Sequence, residues 1–223
     1  VVNVEQLCSD TKSFFLKPEK KMMFKAGQFV MLNLPYKNTF VRRAYSIANV
    51  PGGEEIELCL NLVPGGRASE FLFGLKGGEK LEIDGPYGIF VVRPNGRDKV
   101  FIATGTGVAP LRSMILELLN GEFKGGITLV FGERTREELL YDGEFRSIAD
   151  ENDNFEYVPT LSGADEGWKG EKGYVQKVMG KYISKPQDCD FYICGMKEMV
   201  NEVKEQLVLS GAAEERIYTE KFG

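Results

Sequence analysis

The 223-residue chain contains no histidine. That absence removes imidazole acid–base catalysis, Ser-His-Asp chemistry and most zinc or haem ligation. Cysteine is scarce: Cys8, Cys59, Cys189 and Cys194 are the full set. Their spacing matches neither an iron–sulfur cluster nor a disulfide framework. Cys189 and Cys194 lie five residues apart, so on a strand they point to opposite faces and cannot grip one metal. No metal site is expected, and a reducing, cytoplasmic setting is the simplest reading. No apolar run approaches the roughly 18 residues that span a bilayer, so no membrane span is expected. No secretory pattern opens the chain. It begins at Val1 without Met, as expected of a trimmed chain or a piece of a longer polypeptide. A net charge of −5 argues against nucleic acid as the main partner.

What is present suffices for a real core, since 43% of residues are hydrophobic, an ordinary globular share. The first 96 residues alternate short β-like runs at 2–7, 13–16, 28–34, 43–47, 56–63 and 80–83. Turn signals separate them: Lys25-Ala26-Gly27, Pro51-Gly52-Gly53, Pro64-Gly65-Gly66 and Lys76-Gly77-Gly78. Six such runs predict a small antiparallel barrel, with one short helix over 68–75. The pattern then changes. Strands are expected at 99–103, 127–131, 155–161, 191–194 and 216–220. Helices are expected at 110–119, 137–149 and 174–179, and around Val200, Val203, Leu207 and Val208, with Gly211 ending the last. Strand–helix alternation predicts a doubly wound parallel sheet. The joint falls at Arg93-Pro94-Asn95-Gly96, dividing the chain into 1–96 and 97–223.

Two motifs carry the chemistry. Arg43-Ala44-Tyr45-Ser46 puts a guanidinium, a phenol and a hydroxyl on one short strand. An ionised guanidinium suits a diphosphate, Tyr45 can lie flat on an aromatic ring, and Ser46 can meet the ring's edge. About sixty residues on, Gly105-Thr106-Gly107-Val108-Ala109-Pro110 forms a glycine turn that leads from a strand into an amphipathic helix, as a dinucleotide diphosphate requires. Pro110 fits the first helical turn, where its missing N–H costs nothing. Gly65-Gly66-Arg67-Ala68-Ser69 offers a further anion-facing turn.

In this order the motifs resemble the ferredoxin–NADP(+) reductase-like flavoprotein family over nearly the whole chain. The resemblance implies an FAD-binding barrel followed by an NAD(P)-binding domain. Asp84-Gly85-Pro86-Tyr87-Gly88 then corresponds to the segment that closes the barrel beside the flavin. Leu60, Asn61 and Leu62 stand where the family's adenylate half lies, which favours FAD over FMN. Thr106 is implied near the nicotinamide. Cys194-Gly195-Met196 ends a strand where the family lines the hydride path; with no base beside it, Cys194 is expected to shape the pocket and not to act as a nucleophile. Glu220 and Phe222 are implied at the flavin's reactive edge and face. Ser46, Cys194 and Glu220 are therefore the expected catalytic set.

NADPH-specific relatives carry Ser-Arg after the third parallel strand, whereas this chain reads Ser162-Gly163 followed by Asp165 and Glu166. That favours NADH, although Arg134 and Arg136 could hold a phosphate. The implied activity is hydride transfer from NAD(P)H to FAD, then electron release to a separate acceptor. Candidates are an acidic carrier such as ferredoxin or flavodoxin, or a partner oxygenase subunit. Residues 1–96 hold 12 Lys/Arg against 10 Asp/Glu, and residues 97–223 hold 16 against 23. The cations Lys17, Lys20, Lys21, Lys25, Lys37, Arg42 and Arg43 suggest that the acceptor docks on the flavin half. A flavin reductase using free flavin, and an electron-transfer or redox-sensing component of a larger complex, are the alternative readings.

Overall fold

The computed structural model describes residues 1–36 and 39–222; Lys37 lies outside them. Six antiparallel strands come first: β1 (Asn3–Cys8), β2 (Thr11–Leu16), β3 (Phe29–Tyr36), β4 (Thr39–Ser46), β5 (Ile56–Asn61) and β6 (Glu82–Tyr87), with α1 (Arg67–Phe73) before the last. They form two three-stranded sheets, ordered β1-β2-β5 and β4-β3-β6. An antiparallel bridge between Ile47 and Leu58 joins the two.

Strand periodicity explains the core. Phe14 and Leu16, Val30, Leu32 and Leu34, and Ile56, Leu58 and Leu60 all face one buried cluster, as alternation on a pleat requires. The intervening residues of β5, Glu57 and Cys59, are also buried, because the second half of the chain covers that face. The sixth strand falls at Glu82–Tyr87 and not at the expected 80–83. It takes in Gly85 and Pro86 of the segment implied to close the barrel beside the flavin. β6 is an edge strand paired only with β3, a position where proline is tolerated.

The second half contains β7 (Asp98–Thr104), α2 (Val108–Asn120), β8 (Ile127–Glu133), α3 (Asp142–Glu151), β9 (Phe155–Leu161), β10 (Glu171–Lys172), α4 (Val175–Val178), β11 (Cys189–Met196), α5 (Lys197–Leu209) and β12 (Ile217–Phe222). Its sheet is parallel throughout, in the order β10-β9-β8-β7-β11-β12. Alternate β7 residues enter opposite cores: Phe101 and Ala103 pack with Leu111 and Met114 of α2, Val100 and Ile102 with Val200 and Val203 of α5. The sheet is thus covered on both faces, as a parallel sheet requires. Cys189 and Cys194 fall into these two different clusters, as their odd spacing predicts. All four cysteines are unpaired. No helix among the described residues is long and apolar enough to cross a membrane.

Gly211 ends α5 as expected. Its φ is +95°; its N–H reaches Val208 O, while Ala212 N–H reaches Leu207 O, the paired bonds of a Schellman cap. The single helix expected over 137–149 is instead two pieces. A 3-10 turn at Arg136–Glu138 is closed by a Thr135–Glu138 capping box, and α3 begins only at Asp142. Between them Leu139 and Leu140 turn into the core, and Tyr141 takes a left-handed φ of 59°. The helix expected over 174–179 is the four-residue α4 followed by a 3-10 turn at Met179–Lys181. The two-residue β10 was not expected.

Two buried polar clusters fix one half against the other. At the joint, Arg93 N–H donates to Tyr192 Oη at 2.9 Å, and Asn95 Nδ2 to Asp190 Oδ2 at 2.8 Å. Lys99 Nζ and Asp190 Oδ2 form an ion pair of 2.9 Å with side chains 0% and 1% exposed. Across the interface, Arg112 of α2 donates to Glu57 Oε2 and to Ala48 O, at 2.8 and 2.9 Å. Tyr141 Oη donates to Glu57 Oε1 at 2.8 Å. Removing one member of such a buried pair costs about 3–5 kcal/mol, because the other charge is left uncompensated.

Candidate active site

The chain order of the parallel sheet reverses between β7 and β11, the switch point where open α/β sheets bind ligands at their carboxyl ends. Thr104 ends β7 there, and the glycine turn Gly105–Gly107 follows it. The turn packs so closely on β11 that a Cβ on Gly107 would collide with the Cys194 carbonyl and Gly195 N. Gly195 is equally constrained: its φ is +147°, and a Cβ there would strike the Thr104 hydroxyl. These glycines let two backbones and a ligand share one small space.

Two cavities meet at this point. One, of about 550 Å³, is lined by Arg43, Ala44, Tyr45, Ser46 and Leu60 from the first half and by Glu220 and Phe222 from β12. The other, of about 600 Å³, is lined by Gly105, Thr106, Arg134, Ser162, Gly195 and Met196. Asn61, Thr106 and Phe222 belong to both. Ser46 Oγ donates to Glu220 Oε1 at 3.2 Å across the cleft, joining residues 174 positions apart. Burial raises the Glu220 pKa, and the Ser46 hydroxyl offsets part of the shift.

The polar groups fit the two ligands implied by the motifs. Arg43 is exposed on the rim of the first cavity. Its guanidinium donates to the Arg42 carbonyl and has no carboxylate partner among the described residues. It therefore remains available to a diphosphate. Tyr45 is half-buried in the wall, its pKa raised by burial and drawn back by Arg43. Thr104 Oγ1 is a buried polar atom without a hydrogen-bond partner, and Thr104 lines the second cavity. A polar group of a bound ligand would satisfy it.

Several expected site residues lie elsewhere. Cys194 lines neither cavity. Its side chain is 0% exposed in the core behind the wall, because β11 alternation turns it inward. Burial, followed by the nearby Glu220 charge, pushes its thiol well above the ordinary range, so it is no nucleophile. Leu62, Gly65, Gly66, Arg67, Ala68 and Ser69 also lie outside both cavities. Gly65 N–H is bonded to Glu70 Oε1 and Gly66 N–H to Val63 O. Ser69 Oγ is shared among Val63 N, Val63 O and Gly66 O, and Ala68 is buried in the barrel core. The two glycine N–H groups and the serine hydroxyl expected to meet an anion are spent on closing the turn. Gly107 and Pro110 are buried supports for the glycine turn and α2. Arg136 lines a different cavity, beside Trp168 and Tyr182. Sequence reasoning missed Thr104 and Glu133; both end strands at the carboxyl edge of the sheet, a signal that could have found them.

A cavity with a cationic rim and an aromatic wall, opening onto a glycine-turn cavity at a sheet switch point, suits a protein that brings two ligands together. Comparisons with known proteins agree. Residues 1–92 match the oxidoreductase FAD-binding domain family, and residues 101–205 match the oxidoreductase NAD-binding domain family. Ferredoxin–NADP reductase B of Sorangium cellulosum is 36% identical over 201 residues, 86% of this chain and 82% of that protein. The reductase component DmpP of phenol 2-monooxygenase from Pseudomonas sp. is 38% identical over 221 residues, covering 95% of this chain and 61% of that protein. The chain thus spans about three-fifths of the length of DmpP. Among solved structures, the cytochrome P450 reductase GcoB of Amycolatopsis superposes with a TM-score of 0.90 at 30% identity, over 99% of this chain and 68% of that one. A ferredoxin NADP+ reductase from Neisseria gonorrhoeae, with FAD and NADP bound, shares the fold with a TM-score of 0.89 at 24% identity, over 99% of this chain and 96% of that one.

The chain belongs to the ferredoxin–NADP(+) reductase-like family of flavoproteins. It is an NAD(P)H-dependent flavoprotein reductase, with FAD and a nicotinamide dinucleotide as its cofactors.

Proposed function

We propose that this chain takes hydride from NADH onto FAD and releases the electrons to a separate protein acceptor. The carrying observation is the Ser46–Glu220 hydrogen bond in the first cavity, which shares Asn61, Thr106 and Phe222 with the dinucleotide cavity. Residues 1–96 form the flavin half of this reading and residues 97–223 the dinucleotide half. FAD supplies two-electron acceptance and stepwise electron release when bound. The chain's residues supply binding, orientation and a proton-holding edge. Arg43 would hold the flavin diphosphate, and Tyr45 and Phe222 would bound the space of its ring. Ser46 would hold Glu220 at the ring edge, where burial raises the carboxyl's pKa. Thr106 and Gly195 would border the nicotinamide, and the unpartnered Thr104 hydroxyl would be free to hold a polar group of the dinucleotide. Cys194 is a positioning residue, supporting the wall through β11.

NADH is favoured over NADPH because Gly163 stands where a phosphate-holding arginine would, with Asp165 and Glu166 following it in the chain. Arg134 packs across Gly163, its Cγ 3.2 Å from where a Cβ would lie. The acceptor is an acidic carrier such as a ferredoxin or flavodoxin, or a partner oxygenase subunit; DmpP and GcoB bear the names of reductases that serve a phenol monooxygenase and a cytochrome P450. Unpaired cysteines fit a reducing compartment such as the cytoplasm. Anaerobic mixing of the FAD-loaded protein with NADH, in parallel with NADPH, tests the reading. Flavin absorbance should bleach with both, several-fold more efficiently with NADH, and Ser46→Ala should slow the step at saturating NADH. No bleaching with either dinucleotide would exclude the enzyme; a clear NADPH preference would make Arg134 a phosphate ligand.

A further inference from the structure

Helix α2 begins at Val108, directly after the glycine turn Gly105–Gly107. A helix advances a fixed 1.5 Å or so per residue, so whatever α2 grips is held at a set distance from that turn. Ala109, in its first turn, borders the flavin cavity with Thr106. A little further along, Arg112 and Ser113 reach across to the first half of the chain. Ser113 is fully buried, and its Oγ donates to Asn49 O at 2.6 Å. Arg112 Nη1 donates to Ala48 O at 2.9 Å and to Glu57 Oε2 at 2.8 Å. Its Nε and Nη2 bond the two carboxylate oxygens of Glu144, a bidentate pairing that fixes the plane of the fork. Ala48 and Asn49 lie just after Ser46, the last residue of β4. Ala48 N–H donates in turn to Glu57 O at 2.8 Å, and Glu57 N–H to Asn49 Oδ1 at 2.8 Å. This ties the segment to β5, whose Cys59 and Leu60 line the flavin cavity. The backbone beside the flavin cavity is thus gripped by α2 on one side. On the other it is joined to β12 through Ser46 Oγ and Glu220.

We propose that Arg112 and Ser113 are positioning residues for hydride transfer. Through the carbonyls of Ala48 and Asn49 they hold Ser46, and the flavin edge it borders, in register with the glycine turn. This deepens the hydride-transfer reading above and rests on it. Neither residue lines either cavity, so both act through the backbone they hold. The reaction needs such a brace, because the two ligands sit on different halves of the chain. Their reacting atoms have to come within roughly 3–3.5 Å of each other. A bond to a backbone carbonyl sets where the chain runs, whereas a bond between side chains mainly sets how firmly the halves adhere. Tyr141 is of the second kind: its hydroxyl donates to the Glu57 side chain. Lysine cannot stand in for Arg112, since one flexible ammonium does not reproduce a planar fork bonded to Ala48, Glu57 and Glu144 together.

The test compares Ser113→Ala, Arg112→Lys and Tyr141→Phe in the FAD-loaded protein. Stopped-flow reduction across NADH concentrations separates the limiting rate from the affinity. Ser113→Ala and Arg112→Lys should lower the limiting rate roughly ten- to a hundredfold, the penalty of about 1 Å of misplacement. Their dissociation constants for FAD, and for ADP-ribose as a redox-inert probe of the dinucleotide cavity, should stay as in the wild type. Tyr141→Phe loosens the interface but releases neither carbonyl. It should keep the wild-type limiting rate although its urea midpoint falls. In the FAD-free protein, amide exchange at Ile47 and Ala48, which donate to Gln28 O and Glu57 O, should quicken in Ser113→Ala and not in Tyr141→Phe. Ser113→Ala removes one neutral hydrogen bond, so it carries the test if Arg112→Lys does not fold. A wild-type limiting rate in Ser113→Ala, or unchanged exchange at Ile47 and Ala48, would overturn the proposal. A rate loss shared by Tyr141→Phe, or matched by an equal loss of FAD affinity, would also overturn it, because general loosening would then suffice. Wild type that NADH does not bleach would instead sink the hydride-transfer reading, and the exchange measurement would still decide whether α2 holds the 46–49 backbone.

Discussion

At the scale of single residues, the site is made by side chains with one polar group left over. Arg43 has spent one donor on the neighbouring carbonyl and keeps the rest of its fork on the cavity rim. Thr104 Oγ1 has no partner at all, although a buried hydroxyl without one is costly. Ser69 is the contrast: its hydroxyl is fully engaged within its own turn. Sequence cannot distinguish a spent donor from a spare one, because both look like a small polar residue near glycine. Arg43→Ala should therefore weaken FAD binding by roughly 1.5–3 kcal/mol, the worth of a charge-assisted hydrogen bond. Titrating FAD into the apoprotein measures it, and unchanged affinity would move the diphosphate contact to another cation.

At the scale of elements, β5 and the 136–151 segment carry the lesson. β5 has an ordinary strand pattern, yet both of its faces are buried. Ile56, Leu58 and Leu60 enter the barrel core, while Cys59 packs into the core of the second half. Glu57 on that second face is 4% exposed, which is tolerable only because Arg112, Tyr141 and Ser13 all bond to it. The same demand breaks the helix expected at 137–149. Tyr141 must point its hydroxyl at Glu57, and its left-handed φ of 59° is held by that contact and by stacking of the Arg112 guanidinium 4.5 Å over its ring. Tyr141→Phe keeps the ring but removes one hydrogen bond to a buried carboxylate. It should destabilise the protein by about 1–3 kcal/mol. A lowered midpoint in urea at constant slope would register this loss. No change would mean that Glu57 is satisfied by Arg112 and Ser13 alone.

At the scale of the whole molecule, the two halves are docked through buried charge as well as apolar area, and the cavities lie where they meet. The 12-to-10 and 16-to-23 charge counts give the molecule a positive flavin half and a negative dinucleotide half. The cationic run is thinner than its sequence suggests. Lys17 is paired with Glu54 and Arg42 with Asp84, Glu117 lies within the field of Lys25, and Lys37 is outside the described residues. Lys20 and Lys21 remain exposed, next to Met23 at 73% exposure. If an acidic acceptor docks here, electron transfer to an acidic ferredoxin should slow as salt rises, since screening shortens the field to about 8 Å at physiological ionic strength. Changing Lys20 and Lys21 to Glu should slow it further at low salt. A rate indifferent to both would place the acceptor on another surface.

The sequence alone determined the two-part architecture, the strand and helix periodicities, and the motifs at 43–46 and 105–110. Each is a local pattern of a few residues whose meaning does not depend on distant partners. Hydrophobic alternation with period two or 3.6 selects strand or helix directly, and a glycine turn between strand and helix announces an anion site. The tertiary structure alone decided which polar groups were left unspent, why the 137–149 helix breaks at Tyr141, and how Cys194 sits behind the wall. It also decided that Glu133 lines the dinucleotide cavity. These depend on contacts between residues tens to more than a hundred positions apart, such as Ser46 with Glu220 and Glu57 with Tyr141. Burial and charge neighbourhood are properties of the assembled molecule, and no local pattern encodes them.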